Sequence, residues 1–396
     1  MNLKKAGGFS LIELMVSMVI GLIAVLVVTM VLGRSEGAKR RTTSINDVNA
    51  NGAFVGFTLD RVLRSAGSGY SQAWSQSYGC QLDAQQGAAN KVLPRPFAYS
   101  AASAFANVPL SLRLAPVLIG KGMADTASEV RGDVLVVMGG ASGTDEYPQP
   151  VVPSSVTSTN LQLPNSLGYA SGDLALLVDS SLSSCLVEQV TFAGSATGST
   201  NPNLPLSGTW YSATGTNVNL SNFGTTTLAV NLGNPLNNPP MMQMFAVGAN
   251  SSLSSLNLLQ LPVAANNDIT LADGVVEMRA IYGLDTTNPP NGVIDSWMDP
   301  VTGSGYEYSM LADGTSAARN KLRRIVAVRV GFFMRASLPE KASEYQQPAG
   351  TALSLFTDLD ASVLQTRTLT GAELNYRWRV LEISVPLRNV LLAPQS

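Results

Sequence analysis

The sequence predicts an α+β protein, in which a long N-terminal α-helix packs on a large antiparallel, β-rich head domain. Three observations support this fold class. An apolar run from Phe9 to Leu32 is longer than the ~20 residues that a helix needs to span a bilayer. Apolar residues then recur at helical spacing as far as Ala66, and short apolar or β-branched runs bounded by Gly, Ser and Asp fill the rest of the chain.

The apolar run contains a single charged residue, Glu13, and follows Lys4 and Lys5. Basic residues ahead of such a run place the N-terminus in the cytoplasm, so we expect a single membrane pass with the head outside the membrane. A carboxylate at the centre of a spanning helix costs about 2.5–3.5 kcal/mol, which makes Glu13 a functional candidate. An ordinary secretory signal or signal anchor is the alternative, but the run exceeds the ~7–15 apolar residues of a secretory signal.

A second apolar pattern continues the helix beyond the membrane. Five residues lie on one face of an amphipathic helix: Val48, Val55, Leu59, Val62 and Ala66. Gly67 and Gly69 are expected to end it. The predicted organisation is a short basic segment over residues 1–8, a transmembrane helix over 9–33, the amphipathic half of the same helix over 34–67, and a head over 68–396 that forms one unit or two subdomains.

Strands are predicted throughout the head. The runs are Val134–Met138, Leu174–Val178, Leu186–Phe192, Thr225–Leu232, Met241–Val247, Leu256–Leu261, Arg324–Arg335 and Tyr376–Leu387. Between Val276 and Tyr282, apolar residues alternate with Glu277 and Arg279, which predicts a strand with one buried face.

Composition limits the possible functions. The 396 residues carry a net charge of −2, which gives no overall electrostatic reason to bind nucleic acid. There is no histidine, which removes the usual general base and most zinc sites and argues against an enzyme. The two cysteines, Cys80 and Cys185, predict a disulfide in an exported chain, with two free buried thiols as the alternative.

A candidate calcium site is the loop from Asp285 to Asp295. Its possible oxygen ligands are Asp285, Asn288, Asn291 and Asp295, near the turn residue Gly292. The loop lacks the closing glutamate of an EF-hand, and two prolines interrupt it. We therefore favour a hairpin turn at Asn291-Gly292 and expect no cofactor, with calcium as the alternative.

The N-terminal motif Gly8-Phe9-Ser10-Leu11-Ile12-Glu13-Leu14, after its basic leader, resembles the class 3 prepilin signal of type IV pilins and type II secretion pseudopilins. The resemblance implies that a prepilin peptidase cleaves between Gly8 and Phe9 and that the new Phe9 amine is methylated. It also implies an assembly contact, in which Glu13 of one subunit pairs with the Phe9 amine of its neighbour.

Further motifs resemble the PilW family of minor pilins. They are Leu63-Arg64-Ser65-Ala66-Gly67, Gly79-Cys80, Gly132-Asp133-Val134-Leu135-Val136-Val137, Asp273-Gly274-Val275-Val276-Glu277-Met278-Arg279-Ala280-Ile281-Tyr282-Gly283-Leu284-Asp285, Ile325-Val326-Ala327-Val328-Arg329-Val330 and Val385-Pro386-Leu387-Arg388-Asn389. The resemblance implies a pilin-like fold and a minor pilin that primes type IV pilus assembly, at or near the pilus tip.

The partners implied by the resemblance are other minor pilins, the major pilin, the prepilin peptidase, the inner-membrane assembly platform and, as a further candidate, a tip adhesin. The implied location is the inner membrane and then the pilus. Three alternatives remain at this point. They are a J-type minor pseudopilin of type II secretion, a tip subunit that binds a surface or DNA, and a membrane-anchored periplasmic enzyme.

Overall fold

The computed structural model describes residues 10–87, 89–142, 147–193, 202–260, 268–343 and 345–394, apart from the side chains at positions 34, 37, 38, 40 and 41. Its first element is a single helix, α1, which runs from Leu11 to Ser65 over 55 residues. At 1.5 Å per residue the helix is about 80 Å long. It ends where predicted: Gly67 has φ +77°, and its N–H donates to the carbonyl oxygen of Met138 at 2.8 Å.

The remaining helices are short. They are α2 (Trp74–Ser77), α3 (Tyr308–Leu311), α4 (Ser316–Arg323) and α5 (Arg388–Leu391), with single 3₁₀ turns at Ser71–Ala73, Leu220–Asn222, Ala249–Ser251 and Gly371–Asn375.

The strands of the described chain, in order, are β1 (Gln81–Gln86), β2 (Asn90–Leu93), β3 (Val117–Gly120), β4 (Val134–Gly139), β5 (Gln149–Pro150), β6 (Asn160–Gln162), β7 (Leu174–Asp179), β8 (Ser184–Gln189), β9 (Asn203–Pro205), β10 (Thr227–Gly233), β11 (Met241–Gly248), β12 (Ser252–Asn257), β13 (Ile269–Asp273), β14 (Val275–Leu284), β15 (Ser296–Met298), β16 (Ile325–Arg335), β17 (Ala352–Leu355), β18 (Gln365–Thr368) and β19 (Trp378–Pro386).

Three sheets form the head. Sheet A has the order β2-β1-β8-β7-β10-β5, sheet B the order β13-β12-β11-β4-β3, and sheet C the order β15-β14-β16-β19. Two further pairs, β17-β18 and β6-β9, lie outside them. Neighbouring strands in these sheets run antiparallel except for β1 and β8, which are parallel. The predicted α+β class is therefore confirmed.

The largest core joins the upper half of α1 to all three sheets. Every residue of the predicted helical stripe is buried, from Val48 at 6% exposure to Leu59 and Ala66 at 0%. A second core lies between the other face of sheet A and the segment that follows β9, and a third lies between sheet C and the β17-β18 hairpin. The long helix is thus fixed to the head along one face only.

Two details of the predicted strands are wrong. The run Leu256–Leu261 was expected to be a strand, but β12 ends at Asn257, because the Asn257 Oδ1 accepts the N–H of Leu259 at 2.9 Å and turns the chain. The strand through Glu277 was expected to expose one face. Both faces are covered, and Glu277 is only 3% exposed because Arg279 and Arg367 both pair with it at 2.6 Å.

Candidate functional site

The lower part of α1, Leu11–Gly33, is a fully exposed apolar helix. Its 23 residues are long and apolar enough to cross a membrane, and none of them is buried within the described chain. Side chains that elsewhere form cores are open here, with Leu11 77% and Leu22 70% exposed. Since a folded protein rarely exposes a continuous apolar surface of this size, the segment requires lipid or the helices of other subunits around it.

Glu13 lies in the first turn of this helix. Its Oε2 accepts the backbone N–H of Ser10, the residue that precedes the helix, at 3.2 Å. The positive end of the helix dipole favours a carboxylate at this position. Gly8 and Phe9, the predicted cleavage and methylation sites, lie outside the described residues. The structure therefore places Glu13 at the N-terminal end of the exposed helix, in a position to meet a group beyond its own chain.

The upper part of α1 lies close to sheet C. A Cβ added at Gly52 would lie 3.3 Å from the Met334 Sδ, and one at Gly56 would lie 3.6 Å from the Ile383 Cγ2. The Asn51 side chain donates to the carbonyl oxygen of Asp273 at 3.0 Å. These two glycines, one helical turn apart, let the helix backbone approach the strands, so the head is held rigidly on the helix.

The opposite side of the same helix carries two exposed aromatic residues. Phe54 is 50% exposed and Phe57 is 69% exposed, three positions apart and turned away from the buried stripe. The sequence analysis missed them. The sequence could have revealed them, because two phenylalanines occur on the polar face of the predicted helix. An aromatic side chain at an exposed position there does not stabilise an isolated subunit.

Two family comparisons agree with this geometry. Residues 244–389 match the family described as type IV pilus-assembly protein W, PilW, and residues 3–29 match the prokaryotic N-terminal methylation motif. Over these 146 of its 396 residues the chain is similar to the PilW family. No curated protein and no solved structure matches it. The PilW match covers part of sheet B, all of sheet C and the β17-β18 hairpin, which includes the strands that hold the spine helix.

The two similarities support a general role for the chain. They indicate a minor pilin of the type IV pilus, a structural and non-enzymatic subunit that contacts other pilus components. The methylation motif and the apolar helix fit a pilin anchored in the inner membrane. The exposed helix and Glu13 both lie at or beside the part of the chain that matches the methylation motif.

The candidate calcium loop joins β14 to β15, which pair as an antiparallel hairpin. Asp285 is fully buried, and its carboxylate accepts the N–H groups of Thr287, Asn291 and Gly292 at 3.1, 2.7 and 2.6 Å. At the other end of the loop, Asp295 Oδ2 accepts the N–H groups of Thr286 and Thr287 at 2.7 and 3.0 Å.

Coordination of a metal by these two carboxylates would displace hydrogen bonds that shape the loop. Within the described residues, no three His, Cys, Asp or Glu side chains are grouped as metal ligands would be. In this structure the two acids thus serve as acceptors for the backbone N–H groups of the loop between β14 and β15.

The two cysteines of the chain form a disulfide. Cys80 precedes β1 and Cys185 lies in β8, and the bond joins them across 105 residues of chain. Both residues are buried, at 5% and 0% exposure. The bond joins the start of β1 to β8, the strand with which β1 pairs in parallel.

Buried charges in the head form a connected network that the sequence did not reveal. Asp133 is fully buried and lies 3.3 Å from Arg279. Arg279 also pairs with Glu277, which in turn pairs with Arg367. Burial raises the pKa of the Asp133 carboxyl, against the lowering effect of its cationic neighbours. Because each of these acids is paired within the protein, the network links sheets B and C and does not form a reactive centre.

Proposed function

We propose that this pilin primes type IV pilus assembly and is incorporated at or near the pilus tip, after prepilin peptidase cleaves between Gly8 and Phe9 and the Phe9 amine is methylated. Before assembly it would span the inner membrane once, with its N-terminus in the cytoplasm and its head in the periplasm. Its direct partners would be other minor pilins and the major pilin, brought together at the assembly platform.

The observation that carries the proposal is the continuity of α1. One uninterrupted helix carries an apolar segment that is 0% buried and, above it, a face that is fixed in the head. Such a helix is stable in lipid and can exchange lipid for the apolar helices of neighbouring pilins without refolding of the head. This exchange is the physical step that extraction into a filament requires.

Phe54 and Phe57 add a separate apolar patch higher on the helix, on the side away from the head. A neighbouring helix that packs on Leu11–Gly33 would continue along this aromatic pair. Burial of a phenylalanine side chain contributes about 1.5–3 kcal/mol, so two of them would add substantially to the contact.

The tip location is supported by the size of the head. The head occupies residues 68–396, and its three sheets pack against one face of the spine helix. A head of this volume meets fewer neighbours at the end of a filament than in its body, where every subunit has others above and below it.

The proposal is tested in a strain that lacks the gene and is complemented with the full chain carrying an epitope in the head. We expect few pili without the gene, restored pili with it, and immunogold label at filament ends. Label distributed along the shafts would contradict the tip location. Unchanged pilus numbers together with a protein-secretion defect would instead favour a type II secretion pseudopilin.

A paired set of variants tests the helix surface. Phe54→Ser with Phe57→Ser should reduce the amount of chain recovered in sheared pili while its membrane level stays constant. Phe97, which is 58% exposed on the head, provides the control, and Phe97→Ser should leave incorporation unchanged. Equal effects of the helix and head substitutions would contradict a role for the aromatic pair.

A further inference from the structure

The strand β19 forms a long, regular margin of sheet C. It pairs with β16 over its full nine residues without a register shift, and no strand of the described chain pairs with its other side. The other margins of the three main sheets are shorter, namely β2, β3, β5, β13 and β15, and the ladders that hold β2 and β13 contain register shifts. Short or bulged edges resist pairing with another chain, whereas a long flat edge invites it.

Two backbone hydrogen bonds show which residues of β19 direct their N–H and C=O groups toward β16. The Leu387 N–H donates to the Val326 carbonyl oxygen at 2.8 Å, and the Ala336 N–H donates to the Arg377 carbonyl oxygen at 2.9 Å. In an antiparallel ladder with this register, residues 379, 381, 383 and 385 direct their N–H and C=O groups to β16. Residues 378, 380, 382 and 384 therefore direct theirs outward.

These outward groups are free of hydrogen-bond partners in the part of the chain that the structure describes. Their residues are accessible: Ser384 is exposed, and Val380 and Glu382 are partly exposed. The edge also lacks most of the usual protection. Pro386 lies only at its end, and the charge of Glu382 is neutralised by Arg329 at 2.5 Å.

The spine helix lies along the same strand and fixes its direction. Successive helix residues meet successive strand residues: Asn49 contacts Arg379, and Gly56 lies against Ile383. Further along, Asn389 binds the end of the helix at Ala66. The helix and β19 therefore run in the same general direction.

We propose that the outer edge of β19 is completed in the assembled state by an extended strand from a different pilin subunit. The inference rests on the proposed function, because assembly of the pilus is the step that brings another pilin subunit against this one. Antiparallel pairing of two β19 edges from two copies would point their spine helices in opposite directions, which a shared membrane does not allow. The nine residues offer roughly 30 Å of ladder, enough to align two heads.

Hydrogen exchange of the full chain tests the proposal directly. In the detergent-solubilised chain, the amides of residues 380, 382 and 384 should exchange rapidly, while those of 381, 383 and 385 are protected. In sheared pili, or in a complex with the other pilins, exchange at 380, 382 and 384 should slow by about tenfold or more, because each amide gains a partner. Unchanged exchange at these positions in assembled protein would overturn the proposal.

A proline provides the matched variant. Ser384→Pro removes one outward N–H and leaves the ladder with β16 intact, whereas Ser384→Ala keeps that N–H. We expect Ser384→Pro, but not Ser384→Ala, to lower recovery in pili severalfold, with thermal unfolding of both variants close to that of the wild type. Normal recovery of a folded Ser384→Pro chain would contradict strand addition.

The two proposals fail in different ways. Wild-type protein in pili with unprotected edge amides would overturn strand addition and leave the proposed function intact. Absence of the wild-type chain from pili and from any complex with other pilins would overturn both. Protection that develops in the purified chain alone, together with a dimer in solution, would identify a second copy as the occupant and contradict a different subunit.

Discussion

The Nδ2 of Asn389 lies 3.0 Å from the carbonyl oxygen of Ala66, so a residue in the last helix of the head binds the end of the spine helix. The last carbonyl groups of a helix have no partner within it, and Asn389 also reaches the carbonyl oxygen of Arg64 at 3.4 Å. The first and last elements of the chain are thereby joined where α1 meets the head.

Removal of this contact should weaken the attachment of the helix. We expect Asn389→Ala to lower the free energy of unfolding by about 1–2 kcal/mol, because a partly buried carbonyl group at the helix end loses its donor. Chemical denaturation of the full chain in detergent measures the effect. Asn237 is exposed, and Asn237→Ala is the control that should change nothing. Equal stabilities of the two variants would show that Asn389 does not hold the helix end.

The disulfide should contribute strongly to the stability of the head. It closes a loop across 105 residues, for which the chain-entropy relation gives an upper value of about 4.7 kcal/mol. The double variant Cys80→Ala with Cys185→Ala should therefore unfold at a clearly lower denaturant concentration. Reduced wild-type protein should match the double variant, and a variant as stable as the oxidised wild type would contradict this role.

Glu188 should make stability depend on pH. It is fully buried in β8, and burial raises the pKa of its carboxyl to about 9, against the lowering effect of the Ser212 N–H, while the negative charge of Asp83 raises it further. The native protein then holds a proton that the unfolded chain releases above its ordinary value near 4.5. This contribution to stability is fully present below about pH 4.5 and is lost progressively as the pH rises toward 9.

Glu188→Gln removes the titration and keeps an oxygen for the Ser212 N–H, which Glu188 accepts at 3.1 Å. We expect the variant to be more stable than the wild type at pH 7.5, on the order of a few kcal/mol, with the gap closing toward pH 5. Denaturation at several pH values gives the slopes. The exposed Asp360 supplies the control, since Asp360→Asn should keep the wild-type slope. A Glu188→Gln chain with the wild-type slope would assign the pH dependence elsewhere.

The loop from Asp285 to Asp295 should not require calcium. Its two acids already accept five backbone N–H bonds in the structure described here. We therefore expect neither a calorimetric signal nor a rise in melting temperature when calcium is added to the full chain after treatment with a chelator. A saturable rise in melting temperature that disappears in Asp295→Asn would establish a site and overturn this expectation.

Local patterns predicted the spine and the longest strands, whereas short strands such as β2, β6 and β17 were not predicted. The apolar residues from Val48 to Ala66 recur with the period of a helix. A helix forms within one continuous segment, so this pattern can be recognised in the local sequence. Strand runs such as Met241–Val247 were likewise visible, because β-branched and apolar runs bounded by turn residues are local signals.

Features that depend on distant segments were not predictable in the same way. Glu277 is buried because Arg367, 90 positions along the chain, pairs with it, and Asp133 is buried beside Arg279, 146 positions away. The open edge of β19 depends on the order of strands in sheet C, which no single strand encodes. Phe54 and Phe57 became candidates only when the head was seen to cover the opposite side of the helix.

Glu13 provides the sharpest test of the assembly contact. In the single chain its Oε2 accepts only the Ser10 N–H in the described part of the structure, so the carboxylate retains the capacity to pair with the amine that cleavage creates at Phe9 of a neighbouring subunit. Glu13→Gln preserves an oxygen for the Ser10 N–H but removes the charge that such an amine requires. A charged hydrogen bond shielded from water is worth about 1.5–3 kcal/mol, so incorporation into pili should fall by roughly tenfold or more.

Cleavage and membrane insertion of the Glu13→Gln chain should remain normal, because neither process depends on a neighbouring subunit. The mass of the mature chain, its membrane level and its amount in sheared pili measure the three steps separately. Ser17, whose hydroxyl donates to Leu14 within the same helix, supplies a polar but uncharged control, and Ser17→Ala should assemble as the wild type does. Unchanged incorporation of Glu13→Gln would remove the pairing role, whereas loss of cleavage would place Glu13 in recognition by the peptidase and not in contact between subunits.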